Sequence, residues 1–205
     1  MNVQAGQINQ RSVDSLQKIY AVVIALAIAQ AIQSLMKDPA SGTLLDVSRV
    51  LNGLPAFVAF LVTLVPFWHG MNRHLDRCYV EKTSGVVQGA LLLDFVTFFL
   101  EASLLFATAW SLRTGIYSFA FLALLLLVDM LWGVVSHLIH FPGKKSHVRR
   151  WSAINFVAIV IGFLFVVYTS QPKAVILMMF AIVRSIVDYW RCWDFYFPQT
   201  EQIAP

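Results

Sequence analysis

Residues 86–112 read VVQGALLLDFVTFFLEASLLFATAWSL and residues 116–141 read IYSFAFLALLLLVDMLWGVVSHLIHF. Each run exceeds the roughly 20 apolar residues that carry a helix across the hydrocarbon core of a bilayer. Only the short connection RTG separates them. Backbone N–H and C=O groups in lipid have to be satisfied within their own segment, so the pair reads as an antiparallel hairpin of two spanning helices.

Working outward, runs of similar character recur at 19–36, 54–70, 151–170 and 174–190, which gives six expected spans. The last contains Arg184 and Asp188, so five spans with a re-entrant or interfacial final segment is the alternative. The expected fold class is all-α, a polytopic transmembrane helical bundle forming a single domain over 1–205. Composition agrees: 59% of the 205 residues are apolar and 13% charged, against roughly a quarter charged in an average soluble domain. Mean hydropathy is +0.70.

The first eighteen residues, MNVQAGQINQRSVDSLQK, are polar, and no cleavable signal peptide is expected from them. Cys78 and Cys192 form neither a CxxC pair nor a zinc spacing, so no metal and no cofactor is expected.

Basic residues near span ends mark the cytoplasmic side. Arg11 and Lys18, then Arg73, Arg77 and Lys82, then Lys144, Lys145, Arg149 and Arg150, then Arg191 fall on one side of a six-span chain. Lys37, Arg49, Arg113 and Lys173 fall on the other. The asymmetry predicts both termini inside, in a multi-pass protein of a bacterial-type cytoplasmic (inner) membrane. These loops account for the net charge of +4 and require no nucleic-acid partner.

Span one repeats Ala21, Ala25 and Ala29 at four-residue steps, with Ala27 and Ala31 on a neighbouring strip. Small residues let helices approach closely in lipid, so the strip is a candidate homo-oligomer contact. Gln30 and Gln33 are expected to bond across to another helix. Pro55 is expected in the first turn of span two, and Pro66 is expected to kink or break that helix near its inner end.

The ionisable residues inside the spans carry the functional signal, because a charge in lipid is costly and turns toward a bundle interior or water. Asp94, Thr97, Glu101 and Thr108 form one helical stripe; Asp129, Gly133, Ser136 and His140 form a second. At a rise of about 1.5 Å per residue, Asp94, Asp129 and Arg184 come to similar depth, with Asp188 one turn further in. Asp94 or Asp129 is then the expected counter-ion of Arg184, Asp188 can also bridge to it at four-residue spacing, and Glu101 is expected to have no basic partner.

Three functions follow as expectations. The first is an oligomeric cation or proton pathway lined by Asp94, Thr97, Glu101, Asp129, Ser136 and His140, with Arg184 and Asp188 in the same polar network and the pore between subunits. The second is a non-catalytic anchor or sensor subunit, for example in a bacterial defence or stress system, docking a cytosolic protein through His69, Arg73, His74, Asp76, Trp193 and Phe195. The third is an intramembrane metal-dependent hydrolase built on His69, His74, His137 and His140 with Asp94 or Asp129. It is the weakest, because His69 and His74 diverge on a helix and no HExxH motif exists.

The orientation is testable by labelling single cysteines introduced into a background lacking Cys78 and Cys192. A cysteine near the C-terminus or in 143–150 should react from the cytoplasmic side, and one in 37–53 from the opposite side. Outside labelling at the C-terminus would rule out six spans.

Overall fold

A computed structural model describes residues 3–38, 41–81, 89–114, 116–141, 146–168 and 173–198. Lys82, Lys144, Lys145, the first residues of the expected third span and most of the SQPK turn lie outside the described residues. The chain is all-helical: α1 (Val3–Met36), α2 (Val47–Leu75) running into a π-helical turn (Asp76–Val80), α3 (Ala90–Trp110), a 3-10 turn (Leu112–Thr114), α4 (Ile116–His140), α5 (His147–Tyr168), α6 (Lys173–Arg191) and the short α7 (Trp193–Tyr196). Among the described residues four helices are long and apolar enough to cross a membrane: α1 from Gln10, α2 with its π turn, α3, and α4 from Tyr117. The chain is therefore a helical membrane protein.

The helices close into a ring. α1 packs on α3, α3 on α4, α4 on α5, α5 on α6, α6 on α2, and α2 returns to α1. The distribution of polarity is inverted relative to a soluble domain. Leu92, Val96, Phe99, Leu138 and Phe163 are exposed on the outside, while Asp94, Glu101, Arg184 and Asp188 are buried within. Lipid tolerates the first set, and the second has only the interior in which to find partners.

Both N-terminal helices begin earlier than hydropathy indicates. α1 starts at Val3 because its polar lead-in is itself helix-compatible, and Val13 in that stretch is fully buried. α2 starts at Val47 rather than near residue 54, because Asp46 caps it: the Asp46 side chain accepts a hydrogen bond from the Arg49 N–H at 2.8 Å. That bond holds the Asp46 carboxyl below its ordinary range, with further help from the Ser48 hydroxyl. Pro55 consequently lies well inside the helix and not in its first turn. Between α1 and α2 the Asp38 N–H donates to the Thr43 carbonyl (2.9 Å), with Gly42 at φ 67°. Arg113 ties the α3–α4 turn to the C-terminal end of α1, donating to the carbonyls of Ser34 and Leu35 at 2.5 Å each.

Pro66 does not break α2. A proline removes the N–H that would bond to the carbonyl four residues earlier, here Val62. That carbonyl instead accepts from the Ser185 hydroxyl of α6 at 2.9 Å. The repair comes from the helix packed alongside, so α2 runs on as helix to Leu75.

The two alanine strips of α1 have different fates. Ala27 and Ala31 are fully buried in the bundle, whereas Ala25 and Ala29 are exposed and Ala21 is half-buried. Gln30 bonds within its own helix, to the Ser34 hydroxyl at 3.2 Å, rather than across to another, and Gln33 is exposed. On the far side of the ring α4 and α5 approach at Gly133, where an added Cβ would collide with the Ser152 hydroxyl.

Ser185→Ala should orphan the Val62 carbonyl and destabilise the fold by about 1–3 kcal/mol, read as a lowered Tm in detergent. Pro66→Ala restores the helical N–H. In that background the Ser185→Ala cost should largely vanish, and an undiminished cost would refute the repair.

Candidate functional site

The ring interior holds two polar clusters. The first is centred on Asp94 of α3, which is 1% exposed. Its Oδ2 accepts from the Tyr79 hydroxyl at 2.7 Å and lies 3.1 Å from His74 Nε2. Its Oδ1 accepts from the Trp132 indole N–H at 2.8 Å. His140 Nε2 stands 3.7 Å from the same Oδ2 and 3.3 Å from the Tyr79 hydroxyl. Cys78 Sγ lies 3.8 Å from the other nitrogen of His74, Nδ1. The π turn is what brings Cys78 and Tyr79, adjacent in sequence, both into the interior; its i to i+5 bond runs from the Glu81 N–H to the Asp76 carbonyl at 2.8 Å.

The second cluster is centred on Arg184 of α6. Its Nε and Nη2 donate to Asn155 Oδ1 at 3.2 and 2.7 Å, and its Nη1 lies 3.9 Å from Asp188 Oδ2. The guanidinium also sits over the Phe67 ring, 4.9 Å from its centroid. Asn155 in turn donates its amide to Asp129, and Asp188 accepts from the Tyr196 hydroxyl at 3.0 Å. Glu101, Asp129, Arg184, Asp188, Trp132 and Tyr196 line one small cavity with about 20 Å³ open to the centre of a water molecule, room for a single one. Glu101 Oε1, Arg184 Nη1 and Asp188 Oδ1 have no hydrogen-bond partner among the described residues.

Several expectations change on this geometry. Asp94 does not pair with Arg184, because it is held by His74, Tyr79 and Trp132. Asp129 reaches Arg184 only through Asn155, whose amide presents an oxygen to the cation and N–H groups to the carboxylate. Glu101 is not isolated from the basic residue; it lines the same cavity. Thr97 is only half-buried, its hydroxyl bonded back to the Leu93 carbonyl at 3.0 Å, whereas Thr108, bonded back to Leu104 at 2.8 Å, is buried. Ser136 and His140 are both buried. All the acidic members of the two stripes are buried inside one bundle.

The expected docking residues are largely engaged by the chain itself. His69 Nδ1 lies 3.2 Å from the Tyr189 hydroxyl, and its ring packs on Tyr196. Arg73 pairs with Glu81 and donates to the Phe195 carbonyl at 3.1 Å. Asp76 accepts from the Gln17 amide at 3.1 Å. His74 and Phe195 are buried, which leaves Trp193 as the exposed member. Of the four histidines of the hydrolase reading, only His74 and His140 come together; His137 bonds to the Ser146 hydroxyl at 2.8 Å.

Tyr79, Trp132 and Asn155 are the site residues that pattern reading passes over, and Tyr196 reads only as one of the aromatic residues near the C-terminus. Asn155 alone carried a signal, as the one amide in the apolar run 151–168. Tyrosine and tryptophan look like core or interface residues until a carboxylate is found opposite them.

Below the first cluster, at the basic end of the bundle, His147 stacks on Phe195 with ring centroids 3.8 Å apart, its Nδ1 3.5 Å from Arg77 Nη1. Burial, and then the positive groups of His74, Arg77, Arg73 and Arg150, push its pKa down to about 2. Unfolded, it would take up a proton near pH 6.5. The stability contributed by keeping it neutral is therefore complete above about pH 6.5 and is lost progressively as pH falls toward the folded value. His147→Phe retains the stack and removes the titration. Its Tm should fall less than that of the unmodified protein between pH 7 and pH 5, and equal losses would show that His147 does not carry this dependence.

No family model matches the chain, and neither a curated protein nor a solved structure matches it.

Proposed function

We propose that this protein is a proton pathway in a bacterial-type cytoplasmic membrane, with six spans and both termini inside. The observation that carries the reading is the placement of Asp94, Glu101, Asp129, Arg184 and Asp188, each no more than 8% exposed, inside a closed ring whose outer face is apolar. Buried ionisable groups at membrane depth are costly and mark proton or ion routes more often than packing alone requires. α5 and α6, with 22 and 19 residues, would be about 33 and 28 Å long, enough to span beside the four apolar helices.

A proton is favoured over a hydrated metal cation by size. The cavity beside Arg184 has room for about one water, while the side chains offer exchangeable groups: His140, Tyr79, Asp94 and His74 at the basic end, then Glu101, Asp129 and Asp188 around Arg184. Trp132 stands between the two sets as a spacer, its indole N–H bound to Asp94 and its ring lining the cavity; a donor without an acceptor site passes no proton itself, so transfer between the sets would run through a water. Three carboxyls around one guanidinium leave acidic groups able to hold and release protons. Oligomers would form on the outer Ala25 and Ala29 surface of α1, as a scaffold and not as the wall of a pore. The anchor or sensor reading is supported less well, since the C-terminal segment is packed against α2.

The test is proton uptake into liposomes containing the purified protein, driven by a potassium diffusion potential and read with an internal pH dye, with sodium and potassium flux measured in parallel. Glu101→Gln keeps the shape and hydrogen-bonding capacity of the side chain but cannot shuttle a proton. Its flux should fall at least tenfold with unchanged Tm, and a variant that conducts like the original would sink this reading. Asp129→Asn separates conduction from packing. If it costs several kcal/mol of stability, and Arg184→Met added to it restores the fold, then Asp129 serves mainly to neutralise Arg184.

A further inference from the structure

The side chains of His74, Cys78 and His140 are arranged for a metal ion. Each offers one ligand atom, and the three atoms lie within 4.8 Å of one another. All three residues are buried, at 0, 2 and 5% exposure, so the donors are held by packing rather than by mobile surface chain. His74 and Cys78 stand four residues apart where α2 passes into its π turn; His140 arrives from the last residue of α4. The 3.8 Å edge from His74 Nδ1 to Cys78 Sγ is already close to what bonds of about 2.0–2.1 Å from imidazole nitrogen and about 2.3 Å from thiolate sulfur require, and the edges to His140, no longer than 4.8 Å, need to shorten by about an ångström.

The surroundings of His74 supply the second observation. Asp94 Oδ2 lies 3.1 Å from His74 Nε2, and the same carboxylate already accepts from Tyr79 and Trp132. A carboxylate acting as acceptor places the ring proton on Nε2, which leaves the Nδ1 lone pair on the side of Cys78 Sγ, 3.8 Å away. A ligating histidine whose second nitrogen donates to a carboxylate is the usual way proteins orient imidazole toward zinc.

We propose that His74, Cys78 and His140 form a site for a borderline-soft divalent transition metal, Zn²⁺ by its ligand type, with Asp94 as the residue that orients His74 and not as a ligand. Two imidazoles and one thiolate suit Zn²⁺ and its spectroscopic substitute Co²⁺ over the hard cations Mg²⁺ and Ca²⁺, which take oxygen ligands. Three protein ligands leave a fourth position open, as in sites that bind water or an exogenous group. The bound metal would tie α2 to α4 across the basic end of the bundle. This inference does not depend on proton conduction: a protein that binds the metal and is silent in flux assays retains it.

The experiment uses the full chain in detergent, titrated with Co²⁺ and followed by its visible spectrum, with metal content counted after gel filtration. One Co²⁺ per chain is expected, with a thiolate-to-cobalt charge-transfer band, displaced by Zn²⁺. Cys78→Ser should remove that band and weaken binding at least tenfold, whereas Cys192→Ser should alter neither. Asp94→Asn should keep the band and weaken affinity about 10- to 100-fold. A folded protein that retains no stoichiometric metal, or a Cys78→Ser protein whose cobalt spectrum is unchanged, would overturn the site. Should Cys78→Ser not fold, X-ray absorption on the unmodified zinc-loaded protein decides the matter: one sulfur ligand is required, and a shell of nitrogen and oxygen alone rules it out.

Discussion

Hydrocarbon offers no hydrogen bonds, and every polar atom placed on a spanning helix must therefore find its partner inside the protein. The rest of this structure is organised by that constraint. α3, α4 and α6 carry their carboxyls and the Arg184 guanidinium on the faces turned inward, and the ring order brings those faces together. The outer surface is left with Leu, Val and Phe side chains that need no partner.

The same constraint explains small features that propensity alone would not allow. A proline within α2 leaves a carbonyl that water would serve in a soluble protein; here a serine on the neighbouring helix serves it. The end of α1 is closed by Arg113, reaching from the next hairpin to two carbonyls. Asn155 separates a cation from an anion while bonding to both. In each case a neighbour supplies what the backbone or an ionised group lacks, so local helix geometry and helix packing stabilise each other.

Partition of the interior into two clusters also follows from which partners are available. Asp94 collects three donors and so is fully engaged without a basic side chain of Lys or Arg type. Arg184 is left to Asn155, Asp188 and the face of Phe67, in a cavity whose other acidic wall is Glu101. Trp132 stands between, bonded to one cluster and lining the other. The proposed proton route and the proposed metal site use this division differently, the first needing both clusters and the second only the histidine side of the first.

Helical class, approximate element positions and the set of buried ionisable residues are properties of the sequence by itself, because apolar run length and the 3.6-residue period are local and a charge in lipid has few places to go. The stripes Asp94–Glu101 and Asp129–His140 were legible for that reason. That Asp188 can bridge to Arg184 follows from their four-residue spacing; that neither Asp94 nor Asp129 meets it directly was not legible, since equal depth does not place two side chains on adjoining faces. Only the order of helices around the ring sends Asp94 to His74 and Tyr79 and brings Glu101 to the cavity of Arg184. Likewise, the spacing of His74 and Cys78 is unremarkable in the chain, and it takes the π turn and the arrival of α4 to set a third nitrogen beside them. Pairing across helices is a property of packing, and packing is decided by the whole bundle at once.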